Sequence, residues 1–272
     1  MPLMYLQFFN LVEAPFNITP DPRFLFFSRH HREAMDHVMF GIQQRKGFIQ
    51  LTGEVGSGKT TLCRAVLASL GNTVKTALIL NPSLSETQLM RAMLNDFDLE
   101  ISGRDRLAYI EALNEFLLRQ NREGINVALI IDEAQDLTTQ VMEQVRLLSN
   151  LETDQHKLIQ IVLCGQPELE RRLARTDLRQ LRQRITVRCS IHPLSEEDTM
   201  LYIRHRLTVS GPESSVEFDR GAVREVFRYS KGIPRLINAV CDNALLAGYV
   251  FRTQQIDARC AKSAILQLEG KT

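Results

Sequence analysis

The chain has 272 residues, 44% of them hydrophobic and 24% charged, with a formal net charge of +1. That composition excludes a disordered or low-complexity chain and supplies core for one large or two modest folded domains. The near-neutral balance lacks the global electrostatic signature of a nucleic-acid or membrane-surface binder.

Residues 1–46 read as an N-terminal arm and a first helix. The arm is rich in Phe and Pro ("PFNITPDPRFLFFS"), and His30 and His31 are expected at the surface where the helix starts. "GFIQLTG" (47–53) is an apolar, β-rich run, followed by glycines and by "KTTLCRAVLASLG", which has helical spacing and a closing glycine. Four more strand-like runs follow: "VKTALILN" (74–81), "NVALIID" (126–132), "KLIQIVLCG" (157–165) and "ITVRCSIHPL" (185–194). Helical segments such as "SETQLMRAML" and "RLAYIEALNEFLLRQNREG" lie between most of them. Continuous apolar runs alternating with helices predict a parallel α/β sheet covered on both faces. After Pro193 the strands stop, and 195–269 reads as helices, opening on a capping box at Ser195 and Asp198 and pausing at Gly232. The five cysteines are scattered without a C-x-x-C pair, which fits small buried side chains in a reducing compartment. No signal peptide is visible and no apolar run approaches ~18 residues, so the expectation is a cytoplasmic chain without a span of its own.

Two stretches carry chemistry. "LTGEVGSGKTTL" fits G-x-x-x-x-G-K-[ST] between a strand and a helix. In such a loop glycines turn successive backbone N–H groups inward around phosphates, at a helix N-terminus that favours an anion. Gly53, Glu54, Val55, Gly56, Ser57, Gly58, Lys59, Thr60 and Thr61 are therefore the expected nucleotide contacts. Lys59 would reach the outer phosphates and Thr60 would ligate Mg²⁺. "VALIIDEAQ" ends a buried strand in two carboxylates that the pleat points apart. Asp132 would hold the Mg²⁺ through water, and Glu133 would orient or deprotonate an attacking water.

Together these motifs resemble the AAA+ ATPases, along nearly the whole chain and in the family's order. The resemblance implies a P-loop αβα sandwich with a five-stranded parallel sheet and a small all-helical lid. The arm and first helix (1–46) would then belong to the ATPase domain, with the core at 47–194 and the lid at 195–272. It implies ATP and Mg²⁺ as cofactors, Gln166 as sensor 1 at the end of "IQIVLCGQ", and Asn81 as a restraint on Glu133. Arg235 in "KGIPRLIN" is similar to sensor 2. For the arginine finger, supplied between subunits of a homo-oligomer, Arg184 before the last strand is first choice and Arg182 second. The arm resembles the opening of general secretion pathway protein A and its pilus- and exosortase-linked relatives, on "PFNITPDPRFLFFS", "LTGEVGSGKTTL", "DEAQ", "GQPEL" and "LRQLRQRI". Phe16, Ile18 and Pro20 are then placed to wall an adenine or simply to pack. The implied function is ATP hydrolysis that drives assembly of a bacterial envelope secretion or pilus apparatus with a membrane-bound partner. On that reading the chain is a short relative or the cytoplasmic domain of a longer inner-membrane protein.

Two other readings stay open. One is a DNA-associated ATPase of the transposition-helper or replication-initiator type, gripping phosphates through Arg171, Arg175, Arg179 and Arg182. "RTD" at 175–177 should split that stripe between two helices. The other is a nucleotide-gated scaffold with negligible turnover, against which the intact Glu133 argues.

Overall fold

A computed structural model describes residues 4–17, 21–80, 83–99, 103, 105–153, 156–211 and 214–271. In chain order the elements begin with α1 (Met4–Phe8), α2 (Arg29–Gln43), β1 (Phe48–Gly53), α3 (Lys59–Leu70) and β2 (Val74–Ile79). Next come α4 (Glu86–Asp96), α5 (Arg106–Arg122), β3 (Asn126–Ile131), α6 (Thr139–Leu148) and β4 (Gln160–Gly165). Then follow α7 (Pro167–Leu173), α8 (Arg179–Arg184), β5 (Ile185–Ile191) and α9 (Glu196–Ser210). The chain closes with β6 (Glu217–Phe218), α10 (Arg220–Ser230), α11 (Pro234–Val250), β7 (Gln255–Ile256) and α12 (Ala258–Leu268).

The elements sort into two compact units. The sheet unit holds residues 30–53 and 62–191; the helical unit holds 1–29, 54–61 and 192–272. The arm therefore groups with the helical residues, whereas the sequence assigned it to the sheet domain.

In the sheet unit five parallel strands lie in the order β2-β3-β4-β1-β5. β1, β3 and β4 are buried at every position, because helices cover both faces and each residue must be apolar or paired. The edge strands β2 and β5 alternate buried with exposed positions instead. One face carries Leu129, Ile131, Ile161 and Leu163 into a core built with α4, α5 and α6. The strands share a direction, so Gly53, Ile131 and Gly165 all end at one edge, where an open α/β sheet presents its ligand-binding loops. α2 corrects one expectation. His30 is half-buried and 3.5 Å from Glu33, but His31 is only 3% exposed. It shares the buried face of Ala34, Val38 and Ile42, at helical spacing.

The helical unit has its own core, formed by Tyr5, Phe9, Phe16, Tyr202, Val226, Ile237, Leu245 and Ile256 among others. Ser195 caps α9, though not as the full capping box expected: its hydroxyl oxygen accepts from Asp198 N at 3.0 Å, while the Asp198 carboxylate accepts from that hydroxyl at 2.9 Å rather than from the Ser195 backbone N–H. Gly232 (φ +79°) is required, because a Cβ there would fall 1.9 Å from the Leu194 carbonyl oxygen. One feature was not legible: β6 and β7 pair in parallel, so the helical unit contains a two-residue ladder. Phe16 is 2% exposed and meets the Phe218 ring edge-on at 6.0 Å, so it packs in this core. Ile18 and Pro20 lie outside the described residues.

Arg206 ties the arm to α9. It is 6% exposed and donates to the Pro15 and Asn17 carbonyls and to the Tyr202 hydroxyl, with its guanidinium 4.6 Å from the Phe24 ring centroid. Arg206→Met keeps the stem but strands two carbonyls, and is expected to cost about 2–4 kcal/mol, read by urea unfolding. A loss below about 0.5 kcal/mol would show that the arm is held by its aromatic packing alone.

Candidate functional site

The glycine loop follows β1 directly. Gly56 (φ +77°) and Gly58 (φ +98°) adopt the left-handed conformation that turns peptide N–H groups inward. Lys59, 5% exposed, donates from Nζ to the Glu54 carbonyl at 3.0 Å, so its ammonium lies inside the loop. Ser57 is buried, and Thr60 stands in the first turn of α3. Ammonium, hydroxyl and backbone N–H are all donors, a set that fits the oxygens of a polyphosphate.

Arg235 reaches this loop from α11, within the helical unit. Its backbone N donates to the Gly56 carbonyl at 3.2 Å. A Cβ on Gly56 would lie 2.5 Å from Arg235 Cβ, so the close approach depends on the missing side chain. The Arg235 side chain itself is exposed.

In the sheet unit the end of β3 builds a second constellation. Asp132 is 3% exposed; its N donates to the Ile79 carbonyl at 2.9 Å, and its Oδ1 accepts from Glu133 N at 2.9 Å. Glu133 then takes a left-handed backbone (φ +50°, ψ +37°), which costs a non-glycine residue about 1–2 kcal/mol. That turn folds the chain back, and the Glu133 Oε2 accepts from Gln135 Nε2 at 2.8 Å and from Gln166 Nε2 at 3.1 Å. Gln135 also accepts the Gln166 backbone N–H on Oε1 at 3.0 Å, and its carbonyl accepts from Arg172. Gly165 leaves room for this: a Cβ there would sit 2.7 Å from Gln135 Oε1.

The structure thus brings Gln166 to Glu133 and adds Gln135, a residue the sequence reading passed over. The only signal was its place two positions after the glutamate in "DEAQ". Asn81 lies outside the described residues.

The arginine run is split as expected, with α7 and α8 separated by a short 3₁₀ turn, Thr176–Leu178. Arg171 pairs with Glu168 and Arg175 with Asp177, so no continuous cationic stripe forms. Arg184 is half-buried and donates to Ser149 Oγ at 2.6 Å, whereas Arg182 is exposed. Among the described residues no cluster of three or more His, Cys, Asp or Glu is placed to hold a metal. The Thr60 hydroxyl in the loop and the Asp132 carboxylate in the sheet unit are each oxygen donors of the kind Mg²⁺ takes, beside waters and phosphate oxygens. No helix among the described residues is long and apolar enough to cross a membrane.

Comparison with known proteins agrees with this geometry. A family model described as an AAA domain matches residues 42–173. General secretion pathway protein A of Aeromonas hydrophila is 45% identical over 254 residues, covering 93% of this chain and 46% of that protein. The chain therefore spans less than half the length of this relative. Among solved structures, Aeropyrum pernix ORC2 superposes with a TM-score of 0.71 at 16% identity, over 93% of this chain and 71% of that one. Cdc6p of Pyrobaculum aerophilum gives 0.68 at 16% identity, over 90% and 68%. The Thermotoga maritima RuvB Holliday junction branch migration motor gives 0.60 at 16% identity, over 89% and 69%. At such identities these three speak for the fold alone. With its sheet order and its glycine loop, the chain carries an AAA domain at residues 42–173 and is similar along 93% of its length to general secretion pathway protein A.

Proposed function

We propose that this chain binds ATP with Mg²⁺ and hydrolyses it, and that the resulting cycle drives assembly of a bacterial envelope secretion or pilus apparatus. Lys59 neutralises the outer phosphates, Thr60 and Asp132 hold the ion, and the loop N–H groups from Gly53 to Thr61 cradle the phosphates. Glu133 accepts the proton of the attacking water. Gln166 and Arg235 register the phosphate, and an arginine from a neighbouring subunit, Arg184 or Arg182, completes the site. A membrane-bound partner at the cytoplasmic face receives the work. The secretion half rests on the 45% identity to general secretion pathway protein A. The hydrolysis half rests chiefly on one observation: a strained Glu133 whose carboxylate is gripped by two amides. A scaffold that only bound nucleotide would need no oriented base.

The test is ATP turnover per subunit across protein concentration, for the native chain, Glu133→Gln, Arg184→Ala, Arg182→Ala and mixtures of the first variant with each arginine variant. A finger supplied in trans contributes about 10³–10⁵ in rate, so specific activity should climb with concentration. Mixing Glu133→Gln with the true finger variant should restore turnover, because some interfaces then pair an intact Glu133 with an intact arginine. Arg184 must first release Ser149 to serve, whereas Arg182 is already exposed. A rate independent of concentration, with no recovery in either mixture, removes the shared site.

A further inference from the structure

On the sheet face that carries the α4–α6 core, β1 presents Phe48, Gln50 and Thr52, beside Arg188 and Ser190 of β5. Leu163 on β4 and Ile131 on β3 fill the places in register with Gln50, so a polar residue on this face needs a reason. Thr52 has one: its hydroxyl donates to Glu170 Oε1 at 2.7 Å and shares a hydrogen bond with Ser190 Oγ at 2.8 Å. Gln50 does not. It is 5% exposed, and among the described residues no protein group hydrogen-bonds its side-chain amide, whose polar atoms stay open to water at the cleft.

Gln50 lines a cleft of about 620 Å³ whose walls are α7 and α8 and whose other polar groups are Glu170, Arg182, Gln183 and Arg188. Arg188 donates from Nη2 to the Arg182 carbonyl at 2.9 Å, and among the described residues neither arginine forms an ion pair. Glu170 is already held by Thr52. Two guanidiniums against one engaged carboxylate leave the cleft cationic, with a buried amide at its floor able both to donate and to accept.

We propose that this cleft binds a carboxylate, with Arg188 and Arg182 as the charged clamp and the Gln50 amide as the buried donor that fixes its orientation. A planar carboxylate matches the fork of a guanidinium, and the amide donates a further hydrogen bond. No residue of the chain's own glycine loop lines the cleft, and because Arg182 is also one of the two finger candidates, a carboxylate held there would compete with that role. The carboxylate belongs either to a small free acid or to an acidic side chain of a protein segment.

Calorimetric titration of the whole chain with glutarate, with a blocked Ala-Glu-Ala tripeptide and with inorganic phosphate separates these. Saturable glutarate binding identifies a free acid as the source; tripeptide binding at least tenfold tighter than glutarate identifies a protein segment. Arg188→Met and Gln50→Leu should each weaken the favoured probe about tenfold or more. Arg188 is exposed, so its variant is expected to fold normally, with nucleotide binding as the control. No saturable binding of either carboxylate, binding unchanged in either variant, or phosphate binding that is as tight as the carboxylates and is weakened equally by Arg188→Met overturns the proposal.

Discussion

Glu133→Gln is expected to lower ATP turnover by about 10²–10⁴ while leaving nucleotide affinity near that of the native chain. The substitution is nearly isosteric. Gln135 and Gln166 both donate to one oxygen of residue 133, and a carboxamide oxygen can still accept from them. Geometry is kept and basicity is lost, so turnover should fall without a fall in binding. Gln135→Leu is the informative companion. It deletes one of the two clamps and the acceptor of the Gln166 backbone N–H but leaves the base intact, so its turnover should fall less than that of Glu133→Gln. Turnover within about tenfold of native for Glu133→Gln would mean that the water is activated elsewhere. Single-turnover hydrolysis beside equilibrium nucleotide binding makes the distinction.

Gly56→Ala should do the opposite and strike binding first. At φ +77° an L-residue costs about 1–2 kcal/mol, and a Cβ placed 2.5 Å from Arg235 Cβ adds an overlap of roughly 1–3 kcal/mol. The loop or the first turn of α11 must shift, and either movement misaligns the donors that Gly56, Gly58 and Lys59 set around the phosphates. An affinity loss of about thirtyfold or more follows, measured with a fluorescent nucleotide. The two contributions separate in a double variant: Arg235→Gly removes the overlap but not the backbone strain. Gly56→Ala with Arg235→Gly should therefore bind nucleotide better than Gly56→Ala with Arg235→Ala, which keeps the offending Cβ. Equal affinities in those two would show that the contact between loop and α11 has no bearing on the site.

The parts legible in the sequence were those that local physics dictates. β1, β3 and β4 read clearly because strands buried on both faces must be apolar throughout. The glycine loop read clearly because its backbone needs left-handed residues at fixed places. The cap of α9 follows from two residues three apart. What failed to show depends on residues distant in the chain or on backbone turns without a sequence signature. β6 and β7 are two residues each, too short for a period, and pair across both α10 and α11 in the chain. His31 lies in the first turn of α2, where the buried face is fixed only by what packs there. Gln135 meets Glu133 only because Glu133 itself turns left-handed, a conformation that a glutamate does not announce. The Arg184 contact to Ser149 joins residues 35 apart, so a choice of finger made by position could not weigh it. The arm gave a hint that was not followed: its aromatic residues needed a core, and Tyr5, Phe9 and Phe16 found one in the helical unit.

All five cysteines are buried and none forms a disulfide. Burial pushes the Cys189 thiol up to about 12 and drives Cys241 and Cys260 upward as well. Alkylating reagents must reach the sulfur, and all five are buried, so the folded chain is nearly silent to maleimides. A single cysteine placed at an exposed position such as Gln267 would then be the one thiol that takes a dye. Subunits carrying it could be counted one fluorophore at a time, which turns the order of an assembly into a photobleaching staircase.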